Sequence, residues 1–145
     1  MFPLEETNLS RKRLEKLLDP KKPYERRNKK IMESLTSQKC VACQADAPKV
    51  TDDEMVEFIK EIPDWDPITE DSILKLKKGF FNFDDYTQAV QFSNQVSDLA
   101  EKEDHHPAIL LEWGKVQVTW WTHKILGLHK NDFIAAAKTD RLLNQ

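Results

Sequence analysis

The apolar positions of this chain fall into helical and alternating stretches whose order predicts α-β-β-α-β-β-α. Thr51-Asp-Asp-Glu54 reads as a capping box, in which a hydroxyl and a carboxylate satisfy each other's backbone amides at a helix start. Met55, Phe58, Ile59 and Ile62 follow at helical spacing and stop at Pro63. A short strand begins at Trp65 and is expected to break at Pro67. From Ser72 to Phe83, Leu74 and Leu76 alternate with Lys75 and Lys77, and Phe81 and Phe83 flank Asn82. That is a half-buried strand, with a bulge expected at Gly79. Asp84 is placed to cap the longest helix. Its small and apolar face is Tyr86, Ala89, Val90, Ser93, Val96 and Ala100, with Phe92 and Leu99 to one side.

Beyond Pro107, Ile109, Leu111 and Trp113 alternate with Ala108, Leu110 and Glu112, and Val116, Val118 and Trp120 alternate with Gln117, Thr119 and Trp121. With Gly114-Lys115 as the turn, these arms form a hairpin whose even-numbered return positions face the core. A last helix runs from about Asn131, with Ile134, Ala137 and Leu142 directed inward. Hairpins within each strand pair exclude parallel crossovers. The expected fold is therefore α+β, a four-stranded antiparallel sheet with three helices packed on one face.

The 145 residues suffice for one domain with an extension. Leu14, Leu17 and Leu18 have helical spacing within Ser10 to Asp19, but Pro20 and Pro23 stop that segment. Residues 1–39 are read as a charged extension, a flexible or docking arm, and residues 40–145 as the domain. Apolar residues make up 39% and charged residues 32%, the balance of a soluble globular chain, and no run approaches the roughly 18 apolar residues of a membrane span. No export or organelle signal is evident at the N-terminus, so a cytoplasmic location is expected. Residues 1–39 hold eleven Lys/Arg against six Asp/Glu, and residues 40–145 hold eleven against nineteen. The arm has too few aromatics to stack on bases, so a solvated tail is favoured over nucleic-acid binding. Cys40 and Cys43 form a CxxC with no second pair to complete a tetrahedral zinc set. Two reduced thiols in a loop are the main reading, and a metal shared between subunits stays open.

Candidate chemistry concentrates in one stretch. Glu101 and His105-His106-Pro107 are followed by Trp113, Thr122-His123 and Asp132, which gathers three of the four histidines near carboxylates. Imidazole titrates near neutrality and suits proton transfer in both directions. A residue before proline is pushed to extended geometry, so His106 should leave the helix while His105 closes it, and both rings should point into one cleft. The hairpin brings His123 back beside them, and Asp132 can cap the last helix or bond an imidazole. No serine or cysteine stands in a nucleophile elbow. General acid/base catalysis leads over a metal site and over structural capping.

The spacing of Glu101, His105-His106-Pro107, Trp113, His123 and Asp132 resembles the motif of the pterin-4a-carbinolamine dehydratase family. The likeness extends through Phe81-Asn-Phe83, Tyr86, Ala89, Phe92 and Asn94 before the motif, and Gly127-Leu128, Asp132-Phe133 and Ala136 after it. Even Cys40-x-x-Cys43 resembles the lead-in of many bacterial members. The resemblance implies dehydration of a 4a-hydroxytetrahydropterin to the quinonoid dihydropterin, in support of an aromatic amino-acid hydroxylase. It implies no metal or organic cofactor, and a homodimer or homotetramer without membrane or nucleic acid. His105, His106 and His123 carry over as catalytic residues, Pro107, Thr122, Lys124 and Ile125 as substrate contacts, and Asp132 and Glu101 as supporting residues. The alternative is a non-catalytic binding protein on the same fold, like a transcriptional coactivator or a Rubisco assembly factor.

Overall fold

The computed structural model describes residues 34–42 and 44–144. The helical stripe in Ser10 to Asp19 and Cys43 lie outside the described residues. Among the described residues three helices, α1 (Asp52–Ile59), α2 (Tyr86–Glu103) and α3 (Lys130–Leu142), accompany five strand segments, β1 (Trp65–Glu70), β2 (Ile73–Lys78), β3 (Phe81–Asn82), β4 (Ala108–Glu112) and β5 (Lys115–Trp120). Every pairing is antiparallel. Strand β5 is central: β4 flanks one edge, and β2 and β3 share the other.

That sharing reconciles five segments with the four expected strands. Leu76 pairs with Trp120 and Phe81 with Val116, and between the neighbouring pairs Lys78, Gly79 and Phe80 face only Gln117 and Val118. One extra residue therefore interrupts a single strand, the bulge expected at Gly79. Pro67 does not break β1, since it pairs with Leu76. The strand lies at the sheet edge, where a missing N–H is tolerated.

Thr51 caps α1 in a complete capping box with Glu54. The cap of α2 is Asp85, one residue later than expected, and its side chain accepts the Gln88 N–H at 2.8 Å. The buried stripe of α2 is Ala89, Phe92, Val96 and Ala100, while Tyr86 is exposed. Phe92 is drawn inward because its ring packs on both Phe81 and Phe83, at 4.7 and 5.2 Å between centroids. The β4–β5 turn is Trp113-Gly114, since Glu112 pairs with Lys115. Gly114 has φ +66°, and a Cβ there would stand 2.9 Å from the Phe83 carbonyl oxygen, so the turn needs glycine.

Leu76, Val116, Val118 and Trp120 line the helix-covered face and join Phe133, Ile134 and Ala136 of α3 in one core. Polar anchors fix α3 to the sheet. The Trp120 indole N–H donates to Thr139 at 3.2 Å, and Trp65 and Lys78 both donate to Asp140. Leu35, in a short 3-10 turn at Leu35–Ser37, is fully buried, and its N–H donates to Glu61 at 2.9 Å. Residues just before the expected boundary at 40 thus pack into the domain. Among the described residues no helix is long and apolar enough to cross a membrane.

Candidate active site

The site is built where α2 ends, β4 begins, β5 ends and α3 begins. Helix α2 stops at Glu103, because Asp104 adopts the left-handed conformation at φ 49° and the His105 N–H turns back to the Ala100 carbonyl at 3.1 Å. The helix thus closes two residues before the position expected from Pro107. Past that reversal the consecutive histidines differ in burial and in partner. His105 is 5% exposed and turned inward, whereas His106 is exposed.

His105 meets Asp132 at 2.6 Å between Nε2 and Oδ1. A carboxylate only accepts, so Nε2 carries the proton. The other Asp132 oxygen accepts the Thr122 hydroxyl at 2.8 Å and the His129 backbone N–H at 2.9 Å. Asp132 is fully buried, and these three donors are what make burial of its charge tolerable. The residue therefore both closes the α3 capping box and holds an imidazole. The His105 ring also stacks on Trp120, with centroids 5.4 Å apart and planes 15° apart.

The other two histidines stand in water. His106 Nε2 meets Glu101 Oε1 at 2.7 Å in an exposed pair. His123 opens a short 3-10 turn, His123–Ile125, and packs on the Trp121 indole at 4.4 Å between centroids. It follows Thr122, so the carboxylate of Asp132 ties the strand end bearing His123 to the helix end bearing His105. Pro107 is half-buried before β4, and Lys124 and Ile125 occupy the same turn as His123. Thr122 is 1% exposed, with its hydroxyl engaged by Asp132.

His129, the fourth histidine, escaped sequence reading. It is the N-cap of α3, its Nδ1 accepting the Asn131 N–H at 3.1 Å. Histidine is an uncommon cap, and only the Asp132 three positions later hinted at a box. Burial holds the His129 pKa below its ordinary 6.5, Asp132 opposing and His105 reinforcing the shift. A neutral ring is what the cap requires, because a protonated Nδ1 could not accept.

The lead-in segment is clamped to the same helix start. Asn131 donates to the Val41 carbonyl at 2.8 Å and accepts the Val41 N–H at 3.0 Å. Glu103 accepts the Cys40 N–H at 3.0 Å and is ion-paired with Lys138. Burial, then the charge of Glu103, pushes the Cys40 thiol up to about 12, so it stays protonated. Among the described residues no three His, Cys, Asp or Glu side chains converge as a metal would require.

A family model described as Pterin 4 alpha carbinolamine dehydratase matches residues 48–142. Among solved structures, the chain is similar to a transcriptional coactivator/pterin dehydratase from Brucella Melitensis. The two are 29% identical with a TM-score of 0.58, over 66% of this chain and 98% of the other.

Proposed function

The chain belongs to the pterin 4 alpha carbinolamine dehydratase family, and from that premise we propose that it removes water from a 4a-hydroxytetrahydropterin. In the reaction the C4a–O bond breaks with its electrons on oxygen, and an acid delivers the proton that completes water. The N5 lone pair forms the new C=N bond as a base takes the N5 proton, which leaves the quinonoid dihydropterin. One acid and one base of near-neutral pKa are needed, and His105, His106 and His123 are the groups proposed for them. Pro107, Thr122, Lys124 and Ile125 would border the pterin.

The observation that carries this reading is the shared Asp132 carboxylate, which joins the His105 and Thr122-His123 ends of the motif in one hydrogen-bonded unit. A carboxylate on one nitrogen orients the ring and balances its charge when it takes a proton, as in other histidine sites. Glu101 gives His106 an equivalent partner from water. The reading extends to recycling of a hydroxylase's tetrahydropterin in the cytoplasm by a homodimer or homotetramer. Strand β4 supports the assembly: among the described residues it pairs only with β5, and it carries Leu110, 49% exposed.

The test is dehydration of a chemically generated carbinolamine by the purified protein, followed by absorbance. Catalysis should exceed buffer and persist after exhaustive chelation. Loss on chelation with recovery on zinc would restore a metal role. The second reading, a binding protein on this fold, is favoured by the coactivator half of the Brucella Melitensis protein's name. A well-folded preparation with no turnover above buffer would select it.

A further inference from the structure

His105 and His106 are each held by a carboxylate, but His123 is held differently. Among the described residues its side chain makes no hydrogen bond, and its contact is the Trp121 ring, 4.4 Å away with planes at 35°. Trp121 is covered in turn by Lys75, whose Nζ lies 4.3 Å from the indole centroid. Lys75 is only 8% exposed, and Glu70 anchors its ammonium at 3.5 Å while binding Lys77 at 2.7 Å through its other oxygen. A carboxylate, an ammonium, an indole and an imidazole therefore stand in contact order on the sheet face opposite the helices.

Strand register explains the order. Leu76 faces Trp120 across β2 and β5, so the next step sets Lys75 opposite Trp121.

We propose that Trp121 is a positioning residue for His123, and that Lys75 holds Trp121 in place through a cation–π contact. An exposed imidazole on a one-turn helix has several staggered rotamers open to it. Ring-on-ring contact selects among them without a hydrogen bond, and so leaves the ring nitrogens to the substrate. A proton carrier used from the solvent side thereby gains orientation. The desolvated ammonium over the indole is worth more than an exposed one and fixes the platform from the β2 side.

The proposal rests on the dehydratase reading for its catalytic consequence, and its structural part is measured separately. Trp121→Ala should lower kcat roughly 3- to 10-fold, the worth of one aromatic pair, with KM little changed. Trp121→Phe should restore most of the rate, and Lys75→Met should fall between. By NMR on the full chain, the His123 ring protons, assigned by their loss in His123→Ala, should carry an indole ring-current shift. Trp121→Ala should abolish that shift and Lys75→Met should alter it. An unmoved His123 resonance in both variants, or full kcat in Trp121→Ala while His123→Ala is inactive, overturns the proposal. Should Trp121→Ala fail to fold, Lys75→Met decides through the same resonance. A wild-type protein with no turnover would sink the dehydratase reading while the NMR measurement still judged the clamp.

Discussion

His105 and His106 are neighbours in the chain and occupy opposite media. The His105 ring is locked between Trp120 and a fully buried Asp132 that also serves Thr122 and the start of α3. His106 and His123 lie outside, one on Glu101 and one on Trp121. The buried imidazole is part of the framework as well as of the proposed chemistry. The exposed pair can change without cost to the fold. Stability and activity should therefore separate between the two regions, which a flat list of motif residues would not reveal.

The sharpest break of that comparison is replacement of each histidine by alanine. His106→Ala and His123→Ala should each lower turnover roughly 10²- to 10⁴-fold. Their melting temperatures should stay near wild type, because an exposed ion pair contributes about 0–1 kcal/mol. His105→Ala should lose activity and stability together. Equal melting temperatures for all three would erase the distinction.

Asp132→Ala should cost about 3–5 kcal/mol in urea unfolding, since it strips a buried charge from three donors at once. Asp132→Asn keeps the shape and should cost less. Leu35→Ala should cost about 2–5 kcal/mol by emptying a fully buried site. A chain starting at Ser34 should keep its urea midpoint and turnover, whereas one starting at Ser37 should lose both. Retained stability without Leu35 would reassign the lead-in as passive.

The smallest effect is on pH dependence, and His129 sets its sign. With its folded pKa held below 6.5, the unfolded chain takes up a proton that the folded one refuses as pH drops past 6.5, so stability falls there. Burial pushes Glu103 up, but Lys138 and the Cys40 N–H outweigh it and leave its pKa below 4.5. Its stabilisation is present above 4.5 and lost as pH falls through the folded value. His129→Asn keeps a capping oxygen and should remove the upper limb of the acid loss while sparing the lower. Thermal melts from about pH 2 to 8 would separate the two. An unchanged upper limb would clear His129.

Much of this was legible because it is local. The Thr51 box, the alternation of β5 and the spacing of α1 each depend on residues within a turn or two. Pro67 misled because tolerance of proline depends on edge position, which only the sheet order shows. Tyr86 and Phe92 exchanged roles because helical periodicity leaves the rotation of the stripe open, and Phe81 of β3 with Phe83 just after it selected Phe92. His129 was missed because histidine is an uncommon cap, and the Lys75 contact of Trp121 was missed because it exists only once β2 and β5 have paired.

By itself the sequence determined the element order, the hairpins, the bulge at Gly79 and which side chains could carry protons, since period, turn chemistry and side-chain type are properties of neighbouring residues. Tertiary structure decided the medium of each histidine. The left-handed Asp104 ends α2, and of the two histidines that follow one is buried and one exposed. Whether a ring meets Asp132 or water depends on elements more than twenty residues away, and no local pattern encodes that distance.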